Sequence, residues 1–230
     1  MNLSTQPFDL KKNQSSYSLV VFDWDGTLMN STPDIAAAIQ AACRDLELPV
    51  PDKAAASWVI GLSLEKALYA LVPDLSETQR PLFIDRYRYH FLRRDPHLEL
   101  FEGVKPMLDA LREKNVVLAV ATGKTRVGLD RTLQATGLKE YFEVTRCADE
   151  TFGKPHPAML QEIMHHVMAE PNQAVMVGDT SHDLDMAANA GVHGLGVSYG
   201  AHPLDILKKS PHQDVLHDVN SVKKWLIDRT

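Results

Sequence analysis

The chain has 230 residues, a formal net charge of −6 and 44% hydrophobic residues, an ordinary composition for a globular protein. The acidic balance disfavours nucleic acid as the main partner, because phosphate backbones attract basic surfaces. No apolar run is long enough to span a bilayer, and the two cysteines lack the CxxC spacing of a zinc site and provide no disulfide framework. We therefore expect a cytoplasmic protein that binds neither membrane nor nucleic acid.

The first predicted strand follows a polar leader and ends in two acidic residues. Residues 1–17 lack the apolar centre of a secretory signal, so we expect a loosely attached leader there. The apolar run SLVVF at 18–22 then leads directly into Asp23 and Asp25, with Gly26 behind them. Burying a charge without a partner is costly. Two carboxylates at the end of a buried strand therefore point to a function.

The segment 31–95 breaks the strand pattern, because only helix-like stretches separated by proline-bearing turns occur in it. Thr32 is placed to cap the first of these helices, with Pro33 in its first position. An all-helical insert directly after the first strand predicts a cap domain at 31–95, with 18–30 and 96–230 forming a discontinuous core. Ligands of open α/β sheets bind outside the carboxyl ends of the strands, so such a cap would cover a site.

Beyond the insert, short apolar runs alternate with helical patterns, which predicts βαβ units. We expect strands near 116–121, 143–147, 174–178, 194–197 and 214–218, and helices near 104–114, 125–136, 157–168, 183–190 and 219–228. The predicted fold class is α/β, with a Rossmann-like parallel sheet, helices on both faces and the inserted all-helical cap domain.

Polar residues follow the apolar runs where the strands are predicted to end. They are Asp23, Asp25, Gly26 and Thr27 after the first strand, Thr122, Gly123 and Lys124 after the second, Asp179 and Asp183 after a later one, and Lys154 in the preceding loop GKPHP. The carboxyl ends of parallel strands share one edge of a sheet, so these groups should converge there.

The converging groups predict a magnesium site and an anion site. Two carboxylates about 4 Å apart repel by on the order of 4 kcal/mol at an effective dielectric constant of 20. A hard dication relieves this repulsion, and Mg²⁺ accepts carboxylates while keeping positions for water and phosphate. Lys154 and the amides near Gly26 and Gly123 would face an anion. Acidic ligands, a nucleophilic carboxylate and anion donors together indicate phosphoryl transfer.

These residues resemble the four motifs of the haloacid dehalogenase superfamily. DWDGT at 23–27, Thr122, Lys154 and GDTSHD at 178–183 match the motifs in order and in placement. The resemblance extends from about residue 18 to residue 200, and the helical segment resembles the cap of the phosphoglycolate-phosphatase-like branch. One departure is Asn30, where members of that branch often have aspartate before the serine. That position lies at the hinge to the cap.

The resemblance implies a magnesium-dependent phosphatase for a small phosphomonoester, such as phosphoglycolate or a sugar phosphate. Asp23 would be the nucleophile that forms an aspartyl-phosphate, and Asp25 would be the general acid and base. Thr122 and Lys154 would bind the phosphoryl oxygens, together with the backbone at Gly26 and Gly123. The magnesium ligands would be Asp23, Asp25 through its carbonyl oxygen, Asp179 and Asp183. The protein would act as a monomer or homodimer.

Other interpretations of the same residues remain open at the level of sequence. Asp23 and Asp25 could be turn formers, and Asp183 could simply be a first-turn carboxylate favoured by the helix dipole. As a metal ligand, Asp183 would bind directly or through water, and its i, i+4 spacing from Asp179 would keep the two within reach if the turn is helical. Lys154 could be a surface lysine. The same motifs also occur in phosphomutases of the β-phosphoglucomutase type, and a phosphate-binding protein without turnover is a third possibility.

Overall fold

A computed structural model describes residues 16–73, 75–94 and 99–230. Its centre is a six-stranded sheet with the strand order β3-β2-β1-β4-β5-β6, in which every pair of neighbours is parallel. The strands are β1 (Leu19–Phe22), β2 (Val117–Thr122), β3 (Val144–Cys147), β4 (Ala174–Gly178), β5 (His193–Val197) and β6 (Asp214–Leu216). The predicted parallel α/β sheet is confirmed.

Helices cover both faces of this sheet, because alternate residues of each strand point to opposite sides. The core helices are α5 (Val104–Glu113), α6 (Arg126–Thr136), α7 (Ala158–Val167), α8 (Ser181–Asn189), α9 (Leu204–Leu207) and α10 (Val219–Ile227). Val20 and Phe22 pack against α5, α6 and α10, whereas Leu19 and Val21 pack against α7 and α8. Such apolar burial on both faces explains why the strands read as continuous hydrophobic runs.

Between β1 and α5 the described chain contains helices and no strand, as the sequence predicts. These helices are α1 (Thr32–Asp45), α2 (Lys53–Trp58), α3 (Leu64–Leu71) and α4 (Gln79–Arg94), and their apolar faces form a cluster of their own. The two connections to the sheet lie side by side: Met29 bridges Leu100, and the Asn30 amide donates to the Glu99 carbonyl at 2.9 Å. The described ends of the two connections are therefore paired side by side.

The start of α1 differs from the prediction. Thr32 does not cap the helix, because it is itself the first helical residue and Pro33 the second. Ser31 occupies the cap position but makes no capping hydrogen bond. Its hydroxyl donates to Asp25 Oδ1 at 2.6 Å instead. The partner of this side chain is thus the Asp25 carboxylate and not the helix end.

The predicted leader falls mostly on residues 1–15, which lie outside the described part of the chain. Tyr17, its last residue, is buried: its amide donates to the Arg229 carbonyl at 2.7 Å, and its ring stacks on Trp225. None of the helices in the described ranges is both long and apolar enough to cross a bilayer.

Candidate active site

Three buried carboxylates meet at the carboxyl edge of the sheet. Asp23 directly follows β1, Asp179 directly follows β4, and Asp183 lies in the first turn of α8. One carboxylate oxygen from each lies within 4.8 Å of the other two. Because β1 and β4 are paired neighbours, their ends bring Asp23 and Asp179 together even though they are far apart in sequence.

Asp179 is fixed in place by donors from two loops. Thr27 Oγ1 donates to its Oδ1 at 2.8 Å, and the Ala201 amide donates to its Oδ2 at 2.7 Å. Burial and the nearby charge of Asp183 nevertheless raise the pKa of Asp179 to about 7. The site thus holds this carboxylate in one orientation although its ionised form is disfavoured without a further cation.

Asp183 has two functions in the structure. Its Oδ2 accepts hydrogen bonds from the Thr180 amide at 3.1 Å and the Thr180 hydroxyl at 2.7 Å, which caps α8. Its Oδ1 faces the carboxylate cluster. The expected helical i, i+4 relation to Asp179 is wrong, since Thr180 is extended and α8 begins only at Ser181. The junction between strand and helix brings the two acids together instead.

Lys154 is fully buried between two of the acids. Its Nζ lies 2.7 Å from Asp23 Oδ1 and 2.6 Å from Asp183 Oδ1, so it forms a close ion pair with each of them. Burial lowers the pKa of Lys154, but the charges of Asp183 and Asp23 outweigh it and raise the pKa above its usual value. Burial also raises the pKa of Asp23. A surface position for Lys154 is excluded.

The residues present fit a divalent cation. Asp23 Oδ2 is buried and has neither a hydrogen-bond nor an ion-pair partner among the described residues. Buried polar atoms without partners are rare in folded proteins. The three carboxylates also share a single ammonium group, that of Lys154, which contacts only Asp23 and Asp183. A hard cation with oxygen ligands would satisfy both the orphaned oxygen and the excess negative charge.

The Asp25 side chain lies outside this cluster. Lys124 Nζ donates to both its oxygens, at 3.1 and 3.0 Å, and Ser31 donates to Oδ1. The Lys124 ammonium group also lies 5.0 Å from the ring centroid of Phe91 on α4. The Asp25 carboxylate is therefore paired at the boundary between the sheet and the helical unit, separate from the three clustered carboxylates.

Thr122 and Gly26 differ in whether they have a donor available for an anion. Thr122 is buried at the end of β2, and its Oγ1 accepts from the Lys124 amide at 3.2 Å, so its hydroxyl proton is available for another acceptor. The Gly26 amide is not available, because it donates to the Met29 carbonyl at 2.8 Å. The amide of Gly26 itself therefore closes the turn, and anion binding by the backbone around Gly26 stays a prediction.

Comparison with known proteins assigns this arrangement of residues to a family. The family model described as haloacid dehalogenase-like hydrolase matches residues 20–197. The chain belongs to the haloacid dehalogenase-like hydrolase family. The match includes the strand ends that carry Asp23, Thr122 and Asp179 and the loop that carries Lys154. The predicted family resemblance is thus confirmed.

Individual members of this family are similar over most of their length. The hydrolase is 37% identical over 210 residues to "Probable phosphatase IndB" of Dickeya dadantii, covering 89% of this chain and 91% of the relative. It is 30% identical over 196 residues to a phosphoglycolate phosphatase of Mannheimia succiniciproducens, covering 81% and 88%. A crystal structure of a predicted phosphoglycolate phosphatase from Haemophilus somnus superimposes with a TM-score of 0.78 and 26% identity, covering 91% and 97%.

The helical unit of this hydrolase touches the catalytic edge at three places. Lys66 on α3 donates to the carbonyl oxygens of Gly153 and Lys154, at 2.9 and 3.2 Å. The Nε2 atoms of His182 and His202 lie 3.1 and 3.0 Å from the Trp58 carbonyl. At the third contact only glycine fits: a Cβ on Gly123 would lie 2.5 Å from the Gly61 carbonyl oxygen. The unit is closed over the core.

Several residues at this edge were not predicted as site residues. Ser31 and Lys124 contact Asp25, Ala201 contacts Asp179, and Lys66 contacts the loop before Lys154. Lys124 was recognisable as a strand-end residue, but nothing in the sequence indicated Asp25 as its partner. Ala201 contributes a backbone amide, which any residue except proline carries, so no residue type marks that position.

Gly26 provides the first testable prediction. It has φ of 86°, and a Cβ there would collide with the Asp179 carboxylate. We expect Gly26→Ala to lower the free energy of unfolding by more than the roughly 1–2 kcal/mol of left-handed strain alone. Gly137→Ala is the matched control, because Gly137 has φ of 69° with nothing within 4 Å of its Cβ position. Urea unfolding that shows equal losses in both variants would contradict this reading.

Proposed function

We propose that the protein is a magnesium-dependent phosphatase that hydrolyses a small phosphomonoester through an aspartyl-phosphate on Asp23. The observation that carries this proposal is a buried Asp23 whose Oδ2 has no partner among the described residues, whose Oδ1 pairs with the buried Lys154 ammonium group, and which lies beside two further carboxylates. A structural aspartate at a turn would have both oxygens bonded. The names of the relatives, phosphatase and phosphoglycolate phosphatase, support the same reaction class.

In the proposed first step, an oxygen of Asp23 attacks the phosphorus atom, and the bond from phosphorus to the alcohol oxygen breaks. Asp25 gives its proton to the leaving alkoxide. In the second step, Asp25 takes a proton from a water molecule that attacks the phosphorus of the aspartyl-phosphate, which releases phosphate and restores Asp23. Thr122, Lys154 and the backbone at Gly123 would bind the phosphoryl oxygens and offset their charge.

Magnesium would be held by Asp23, Asp179, Asp183 and the Asp25 carbonyl oxygen, and would neutralise charge on the transferring group. Thr27 and the Ala201 amide orient Asp179 for this role. Thr180 likewise orients Asp183 by bonding only one of its oxygens and leaving the other toward the cluster.

Both oxygens of Asp25 are occupied by hydrogen-bond donors, so its present partners must rearrange before it can exchange a proton with the leaving group. Lys124 donates to both oxygens, and Ser31 donates to Oδ1. We propose that the phosphate group of the substrate draws the Lys124 ammonium group away from Asp25. This group contacts Phe91 of the helical unit, and Lys124 lines the cavity between that unit and the core, where a substrate can reach it. Opening and closing of that unit would admit substrate and exclude bulk water during the reaction.

We also propose a reducing cytoplasm as the compartment. Cys43 and Cys147 are both free and buried. The two cysteines do not form a disulfide with each other, and free thiols are the usual state of cysteines in the cytosol.

The test is phosphate release from a panel of phosphomonoesters, measured with free phosphate and isomerised sugar phosphate as separate products. Accumulating free phosphate supports a phosphatase, whereas isomerised sugar phosphate without free phosphate would indicate a mutase. Binding of esters without any product would contradict the proposal and indicate a binding protein.

Magnesium gives a second prediction with a readout other than activity. Chelation should lower phosphate release by on the order of a hundredfold or more, since metal ions stabilise such transition states by several kcal/mol. Mg²⁺ at about 100 times its dissociation constant should raise the free energy of unfolding by about 2.7 kcal/mol. Asp179→Asn should remove most of that increase. Full activity after exhaustive chelation, or equal stabilisation of the variant, would contradict the metal assignment.

A further inference from the structure

A cavity of about 440 Å³ lies between the helical unit and the core, directly beside Asp25. Its walls come from α1, α3, α4 and the loop around Gly61 on one side, and from Gly123 and the start of α6 on the other. Pockets of about 300–1,000 Å³ typically bury most of a drug-sized ligand. The cavity is therefore much larger than a two-carbon acid needs.

The chemistry of the walls is as informative as their size. Most lining side chains are aliphatic or aromatic, among them Ile35, Ile39, Ile60, Leu62 and Phe91. Apolar walls bind through the area they remove from water, at about 25 cal/mol per Å². Phosphoglycolate, a small dianion with almost no apolar surface, would gain very little from them.

Two further apolar residues at this cavity are exposed to solvent. Leu92 on α4 is 45% exposed and Val127 on α6 is 75% exposed, and both line the cavity. One belongs to the helical unit and the other to the core, so a single ligand between them would contact both. Exposed apolar groups that line a cavity next to catalytic residues are what a ligand with an apolar body would cover.

The charged lining residues are consistent with an anionic ester. Lys124, Arg88 and Arg131 line the cavity together with only two acids, Asp25 and Asp149. A cavity with this balance attracts an anion and repels a cationic body. The phosphate group would lie toward the catalytic edge, with its alcohol part extending between α4 and α6.

We propose that the substrate is a phosphomonoester of a bulky, largely apolar alcohol, with Leu92 and Val127 as specificity-determining residues. The inference rests on the proposed phosphatase function and goes beyond it by naming the class of alcohol. It places the apolar body in the cavity and thereby distinguishes this chain from a phosphatase dedicated to phosphoglycolate.

The test compares primary alkyl esters, so that the leaving groups have similar reactivity. The probes are 2-phenylethyl phosphate, ethyl phosphate and phosphoglycolate. We expect kcat/KM for 2-phenylethyl phosphate to exceed that for each of the other two by at least about tenfold, since even one methylene group in an apolar pocket changes it by about 10- to 200-fold.

Variants locate the preference in the cavity. Leu92→Asp and Val127→Asp should each lower the ratio of kcat/KM between 2-phenylethyl and ethyl phosphate by about fivefold or more, because a charge replaces apolar contact area. Met168→Asp is the matched control, since Met168 is 90% exposed and does not line this cavity. It should leave the ratio unchanged. Circular dichroism and thermal unfolding would verify that all three variants are folded.

The outcomes separate the two proposals. Hydrolysis of phosphoglycolate or ethyl phosphate with kcat/KM equal to or above that of 2-phenylethyl phosphate overturns the inference and leaves the phosphatase function intact. A preference that survives both cavity variants also overturns the placement of the alcohol. No hydrolysis of any ester overturns the phosphatase function together with the inference built on it.

Discussion

Replacing Asp23 by asparagine is expected to lower phosphate release by at least about a thousandfold, since removing a nucleophile typically leaves only residual catalysis from binding. The amide is nearly the same size as the carboxylate but cannot attack phosphorus. In the structure Asp23 Oδ2 has no partner among the described residues, and Oδ1 pairs only with Lys154, which keeps Asp183 as a second partner. The fold should therefore be retained.

The stability of the same variant provides an independent readout. Burial raises the pKa of Asp23, which means that its charged form is disfavoured in the folded protein. Asp23→Asn removes that charge and leaves Lys154 paired with Asp183 at 2.6 Å. We expect the free energy of unfolding to change by less than about 1 kcal/mol, because the loss of the ion pair with Lys154 is offset by the removal of one buried charge that Asp179 and Asp183 repel.

Asp34→Asn is the matched control for Asp23→Asn. Asp34 is a partly exposed carboxylate on α1 whose only described ion pair, with Arg94, is long at 3.6 Å. It should keep full activity. In the wild-type protein, rapid acid quenching during turnover of a labelled ester should trap label on the chain, and Asp23→Asn should trap none. Activity of Asp23→Asn within tenfold of wild type would contradict the nucleophile assignment.

Replacing Lys154 by methionine should cost about 3–5 kcal/mol of folding free energy, the usual loss when one partner of a buried ion pair is removed. Methionine has a similar length but no charge. Asp23 and Asp183 would then be buried close together without the ammonium group that lies 2.7 and 2.6 Å from them. Phosphate release should be lost as well, because this group is proposed to bind the phosphoryl oxygens.

A double variant separates charge from packing in this prediction. Lys154→Met combined with Asp183→Asn removes one of the two uncompensated carboxylates, so part of the lost stability should return. Unfolding by urea is measured in the presence of a chelator, so that no cation substitutes for the lysine. Lys105→Met on the exposed face of α5 is the control and should change stability by less than about 0.5 kcal/mol. A similarly small loss in Lys154→Met would contradict the buried ion-pair network.

The sequence was sufficient to predict the sheet and most of the site because both depend on local patterns. Apolar runs such as SLVVF need two covered faces, and a parallel sheet provides them. Once the strands are parallel, residues directly after them must share an edge, so Asp23 and Asp179 could be placed together without coordinates. Lys154 lies in the loop GKPHP, which the order of elements along the chain also placed at this edge, and the family resemblance added its role in binding the phosphoryl group.

The partners of the site residues required the tertiary structure. Ser31 had a local reason to cap α1, but its hydroxyl contacts Asp25 instead. The Gly26 amide was expected to face an anion, but it closes the turn with Met29. In both cases a side chain or amide has several possible hydrogen-bond partners within reach, and the packed geometry selects among them.

The sequence by itself determined the fold class, the helical insert and the residues that carry the proposed chemistry, since each follows from periodicity or from residue type. Only the tertiary structure decided how the insert lies on the core, which places Lys66 on the Lys154 loop and leaves an apolar cavity beside Asp25. The physical reason is that a cavity between two units depends on their relative position. No local pattern in either unit encodes that position.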